Sequence, residues 1–157
     1  MIVRSLLIGT LTAAFVAGAA QACTRPANAV ALGSGMIEWI NQQRQAKGLN
    51  ALTPSDKLAA AAQGHACDMA QRGYFAHQRA GGPDLGGRVK AKGYRYRTAA
   101  ENIAKTRAAD IARPAKVWRD SPPHWANILK PNVADIGIGV ASENGQVYWV
   151  MNIGRPR

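Results

Sequence analysis

The sequence predicts an α+β domain, on three observations. Apolar residues recur at helical spacing from Met36 to Met69, with stop signals at Gly48 and Gly73. Capping and proline signals then mark shorter helices as far as Leu129. Finally the period changes. Ala134 to Ala141 alternates Ile136, Ile138 and Val140 with Gly137 and Gly139, Gln146 to Ile153 is rich in β-branched and aromatic residues, and Glu143-Asn144-Gly145 between them is a hairpin turn signal.

The first 22 of the 157 residues read as an export signal: Arg4 supplies the charge, Ser5 to Ala19 is a short apolar run, and Ala20-Gln21-Ala22 is a small-x-small cleavage site. A membrane span needs about 20 apolar residues, and Ser5, Gly9, Thr10, Thr12 and Gly18 interrupt this run. Residues 23–35 read as a flexible leader rich in Ala, Pro, Gly and Ser, and residues 36–157 as one domain.

Twenty Lys and Arg stand against nine Asp and Glu, a net charge of +11, and removal of Arg4 leaves +10. This balance favours anionic partners, which for an exported chain means envelope components. Nucleic acid is excluded by the lack of a basic motif interleaved with aromatic residues. The alternative is a solubilising basic surface with no specific partner. Cys23 and Cys67 are the only cysteines. In an oxidising compartment they suggest one disulfide, while Cys23, immediately after the cleavage site, is alternatively a lipid-anchoring residue.

Met36, Ile37, Ile40 and Arg44 define the first helix, with Asn41 and Arg44 as neighbours on its surface. Thr53-Pro54-Ser55-Asp56 has the form of a capping box opening a second helix, whose stripe is Leu58, Ala61, Ala62, Ala66 and Met69. His65 beside that stripe reads as a satisfied core histidine. Tyr74-Phe75-Ala76-His77 leaves the helix, and Asp84 caps a short third helix closed by Gly93. Tyr94 to Arg97 reads as a connection into Glu101-Asn102-Ile103-Ala104, a short strand or strand edge. A fourth helix lies within Ala108 to Asp120, with Pro114 tolerable only near its first turn. In Ser121-Pro122-Pro123-His124-Trp125, prolines suit the first helical positions and the Ser121 hydroxyl is placed to reach the His124 N–H. His124 either opens a site or merely a buried helix.

The order Asn41-x-x-Arg44-x-x-x-Gly48-Leu49, Phe75-x-His77, Arg88, Gly93-Tyr94, Glu101-Asn102-Ile103-Ala104, Trp118-x-x-Ser121-Pro122-x-His124-x-x-Asn127-Ile128 and Ile136-Gly137-Ile138-Gly139 resembles the bacterial branch of the CAP superfamily. That superfamily joins cysteine-rich secretory, antigen five and pathogenesis-related proteins. The resemblance implies an α-β-α sandwich, a small antiparallel sheet between helical layers, with a cleft of two histidines and two acids. His77 and His124 match the histidines and Glu101 the first acid; Ser121 stands where many members have the second. Asn41, Arg44, Asn102, Trp118, Trp125 and Asn127 would support the cleft, with the Trp125 ring at its mouth.

Two imidazoles and one carboxylate, His77, His124 and Glu101, are an adequate Zn²⁺ ligand set, the kind used in hydrolytic zinc sites. With Ser121 in the second acid position no general base is left over, and no Ser/His/Asp or Cys/His arrangement is apparent. Glu101 is either a metal ligand or a structural residue bonded to backbone or to Arg44. The expectation is an exported, non-enzymatic, monomeric binding domain, secreted or periplasmic. It needs no cofactor, zinc is optional, and its ligand is a lipid, sterol-like molecule, glycan or protein. The rival reading is a metal-dependent hydrolase acting on peptides or envelope material.

Overall fold

The computed structural model describes residues 23–157, so the export signal read over residues 1–22 lies outside the described residues. Five helices and four strands follow in the order α1 (Ala29–Gln45), β1 (Thr53–Pro54), α2 (Asp56–Arg72), α3 (Leu85–Ala91), β2 (Tyr96–Thr106), α4 (Ala112–Arg119), α5 (Pro122–Ile128), β3 (Asp135–Glu143) and β4 (Gln146–Pro156). The sheet order is β1-β3-β4-β2. β3 and β4 form the expected hairpin, turning through Asn144 (φ 49) and Gly145 (φ 70), both in the left-handed region that a two-residue turn demands. β2 pairs antiparallel with β4 from Tyr96 to Thr106, and β1 adds a two-residue parallel edge on β3.

Alternation along β4 divides the core into two layers. Val147, Trp149, Met151 and Ile153 join Leu32, Met36 and Ile40 of α1 and Trp118 of α4. Tyr148 and Val150 join Ala62, Ala66 and Met69 of α2. The sheet is thus covered on both faces, the α+β sandwich expected. On the α2 side the approach is unusually close: a Cβ at Gly137 would lie 2.0 Å from Ala59 N, and one at Gly139 would lie 2.3 Å from Ala62 C. Glycine on the strand and alanine on the helix are what allow that contact.

Four local readings need correction. The segment read as a flexible leader over residues 23–35 is helical from Ala29, because Ala29 and Leu32 continue the buried stripe of Met36 and Ile40. The capping box is displaced. Thr53 and Pro54 form β1, and Ser55 caps α2, its Oγ accepting from Leu58 N at 3.4 Å. The connection and short strand read over residues 94–104 are one eleven-residue strand, β2, held by backbone pairing to β4 that local sequence does not advertise. Ser121 occupies the N-cap of α5, but its hydroxyl bonds no N–H; the backbone carbonyl of Ser121 instead accepts from Trp125 N at 2.9 Å. Asp84 does cap α3 as expected, accepting from Gly87 N at 2.7 Å, and Pro114 sits in the first turn of α4.

Cys23 and Cys67 are bonded as a disulfide, with Cα atoms 5.4 Å apart. This anchors the start of the described chain to α2 and engages the sulfur that lipid anchoring at Cys23 would require.

Candidate functional site

β2 is the outer strand of the sheet, and its register places Glu101 opposite Asn152 of β4. The Glu101 side chain is 3% exposed, and a carboxylate so withdrawn from water requires partners. Three residues supply them. His77 Nδ1 lies 2.9 Å from Oε1, and since a carboxylate only accepts, Nδ1 is the donor; in the neutral ring this leaves the lone pair on Nε2. Arg88 of α3 donates from Nη2 to Oε2 at 2.7 Å. Asn152, in the amide orientation that satisfies both its ends, donates to Oε2 at 3.1 Å and accepts from Ala62 N at 3.2 Å.

Arg88 does more than neutralise Glu101. Its Nη1 donates to His77 O at 2.9 Å and Pro83 O at 3.0 Å, fixing the backbone that carries His77. His77 itself is 58% exposed, oriented from behind and open to solvent in front.

His65 bears out its reading as a satisfied core histidine. It is 2% exposed and its Nε2 donates to Ala76 O at 3.0 Å, with Glu101 Oε1 3.9 Å away. Burial pushes its pKa below the ordinary histidine value, outweighing the pull of Glu101 in the other direction.

His124 comes from the opposite layer, in the first turn of α5. Its carbonyl accepts from Asn102 Nδ2 at 2.9 Å. Asn127 ties the same turn to β2, donating to Asn102 Oδ1 at 2.8 Å and to Glu101 O at 3.3 Å. Burial first, and then the nearby His77, lowers the His124 pKa, and its Nδ1 is buried without a hydrogen-bond partner. The two imidazoles are therefore near enough to influence one another electrostatically.

Residues expected to support the cleft brace it indirectly. Arg44, wholly buried, does not reach Glu101. It donates from Nε to Asn50 O at 2.9 Å and from Nη1 to Ile128 O and Lys130 O at 2.7 and 2.9 Å, fastening α1 to the end of α5. Asn41 pairs both ways with the backbone of Leu52, and Trp118 Nε1 donates to Ile103 O. The Trp125 ring, half-buried, packs on Trp39 of α1, with centroids 6.4 Å apart. Ser121 sits three residues before His124, half-buried.

Sequence reasoning missed the part played by Arg88 and Asn152. Each reaches Glu101 from another element, and no local motif signals such a pairing. Among the described residues, no group of three or more His, Cys, Asp or Glu is gathered as a metal site. As placed here, Glu101 orients His77 instead of pointing both oxygens into the cleft.

The family described as CAP, the cysteine-rich secretory protein family, matches residues 37–153. A Bacillus subtilis relative, the uncharacterized protein YkwD, is 34% identical over 133 residues, covering 83% of this chain and 50% of its own length. An extracellular protein containing an SCP domain from Bacillus anthracis shares the fold at TM-score 0.75 and 25% identity, over 81% of this chain and 41% of that one. This chain therefore spans about half the length of those relatives or less. The structure of NaASP2 with Zn²⁺ is alike in fold alone, at TM-score 0.57 and 12% identity over 84% of this chain and 85% of its own. No helix among the described residues is long and apolar enough to cross a membrane.

Proposed function

The chain belongs to the cysteine-rich secretory protein family, and from that premise we propose that it is an exported, extracytoplasmic binding protein whose cleft presents His77 and His124 to a ligand without performing chemistry on it. The observation that carries this reading is the state of Glu101. Both its oxygens are engaged, Oε1 by His77 and Oε2 by Arg88 and Asn152, and with its side chain only 3% exposed the carboxylate is withdrawn from a substrate as a proton acceptor. Ser121, where a second acid would serve, has no proton affinity near neutral pH. Export rests on the signal read over residues 1–22 and on the disulfide, which suits an oxidising compartment. The basic surface favours anionic envelope material as surroundings.

The donor set suits a divalent metal such as Zn²⁺ in a form that differs from a three-ligand site. His77 Nε2 and the His124 ring would hold the ion. Glu101, hydrogen-bonded to the far nitrogen of His77, would fix that ring and raise its basicity, as outer partners of metal-ligating histidines commonly do. A bound ion would supply positive charge and coordination sites for an anionic or carbonyl group of the ligand.

Calorimetric titration of the disulfide-bonded protein with Zn²⁺ tests this. Binding should vanish in His77→Ala and His124→Ala, weaken by about 10- to 100-fold in Glu101→Gln, and fall as the imidazoles protonate at acid pH. The protein should be inert towards peptide, ester, phosphoester and peptidoglycan substrates with Zn²⁺ supplied. Turnover that collapses in both Glu101→Gln and His124→Ala would make it an enzyme.

A further inference from the structure

A cavity of about 310 Å³ opens between α2 and α3, lined in part by His65 and Arg88, the neighbours of Glu101. Ala61, Gly64, His65 and Asp68 form one wall, at the i, i+3, i+4, i+7 spacing of a single α2 face. Gly87, Arg88, Ala91 and Lys92 form the facing wall, and Tyr74, Arg79 and Pro83 close the third side. The volume is at the small end of the range for small-molecule sites, roughly 300 to 1,000 Å³.

Two features point to an occupant. The first is Gly64, exposed in the interior of α2, where glycine weakens a helix relative to alanine. Packing does not require it, because a Cβ at this position would meet nothing within 4 Å. Its absent side chain only enlarges the cavity.

The second is charge. Asp68 is shared by Arg72, at 2.6 Å, and Arg79, at 3.6 Å, while Glu101 is engaged by Arg88. Lys92 forms no ion pair among the described residues, and the Arg88 side chain, 9% exposed, leaves its Nε without an acceptor. Of the residues lining the cavity, Arg79, Arg88 and Lys92 are cationic against the single carboxylate of Asp68, and burial disfavours the charged form of His65. The half-buried Tyr74 ring, tilted 55° to the buried His65 ring behind it, adds an apolar face beside that surplus.

We propose that this cavity is a second binding site, for a small organic anion: a carboxylate or sulfonate head set toward Lys92 and Arg79, on a flat apolar body of one or two rings lying against Ala61, Gly64 and Tyr74. The site is separate from the His77–His124 cleft, although Arg88 borders both.

Naphthalene-2-sulfonate is a suitable probe, with uncharged 2-naphthalenemethanol as its control. Titration followed by amide NMR should give saturable shifts at Gly64, Gly82 and Gly87, with the alcohol at least 10-fold weaker. Gly64→Leu combined with Ala91→Leu should abolish binding with no loss of thermal stability. Lys92→Glu, a surface change, should weaken it about 10-fold, and His124→Ala should leave it unchanged. Shifts centred on the His77–His124 cleft, equal binding of the alcohol, or affinity unaltered by Lys92→Glu would overturn the proposal. Should the double substitution fail to fold, the Lys92 variant and the neutral control decide the matter.

Discussion

Glu101 is held by donors from the loop after α2, from α3 and from β4, so its environment exists only in the assembled fold. The Arg88–Glu101 pair is nearly excluded from water, at 9% and 3% side-chain exposure, and removing one member of such a pair strands the other charge at a cost of about 3–5 kcal/mol. Arg88→Met should destabilise by about that much, and adding Glu101→Gln should restore part of the loss. Urea unfolding of the four proteins measures the coupling, and purely additive losses would show the pair to be independent. Two tyrosines make a parallel case at alkaline pH. Tyr74 and Tyr94 donate to Asp68 and Asp135 at 2.6 and 2.8 Å. Burial first, then those carboxylates, raises Tyr74 to about 12 and moves Tyr94 upward also. A raised folded pKa means that the stabilisation is complete below the unfolded value near 10 and is lost as pH rises through the folded value. Unfolding free energy should begin to fall above about pH 10, and less steeply in Tyr94→Phe; an identical decline in that variant would remove Tyr94 from the account. His77, Glu101 and His124 were legible because their types and order are informative in themselves. Arg88 was not legible as a partner, because thirteen positions separate it from Glu101 and only the docking of α3 on α2 and β2 closes that distance.

At the scale of elements, the Ile-Gly alternation of β3 revealed a strand but not why one face of it is bare. The reason is α2, whose backbone occupies the space a side chain would need. In Gly137→Ala the new methyl would stand 2.0 Å from Ala59 N, a backbone atom that no rotamer change can move aside. The helix must shift, and overpacking of this kind costs about 1–3 kcal/mol or more. Gly64→Ala, on the same helix but facing open space, should instead stabilise by about 0.5–1 kcal/mol. Thermal unfolding of the two variants should move in opposite directions, and a shared sign would show that α2 does not rest on β3 as described. The same close packing explains the misplaced boundaries. α1 begins at Ala29 and β2 at Tyr96 because burial against the sheet overrides the weak local signals of Ala- and Gly-rich or basic segments.

For the whole molecule, the hairpin and the helical periodicities made the α+β class legible. The sheet order was not, since β1 and β2 acquire their places through pairing with strands more than 40 residues away. The disulfide acts at this scale too. It joins residues 44 apart in sequence, tying the segment before α1 to the middle of α2, while Thr24 O accepts from Ser142 N at 3.0 Å on the edge of β3. One covalent bond thus restrains the N-terminal segment, α2 and the hairpin together. In the chain-entropy account a loop of this length withdraws about 4 kcal/mol of freedom from the unfolded chain. For a domain of this size that corresponds to a melting temperature about 10 °C higher. Cys23→Ala/Cys67→Ala should fold to the same structure, because the bridge is only partly buried and packs against the α2 layer of the core from outside, yet melt lower by that amount. The wild-type protein should lose the same amount on reduction. If the reduced and double-alanine proteins melt with the oxidised one, the bridge is only a local fastening of the N-terminal segment, and the stability of the domain lies wholly in its two packed layers.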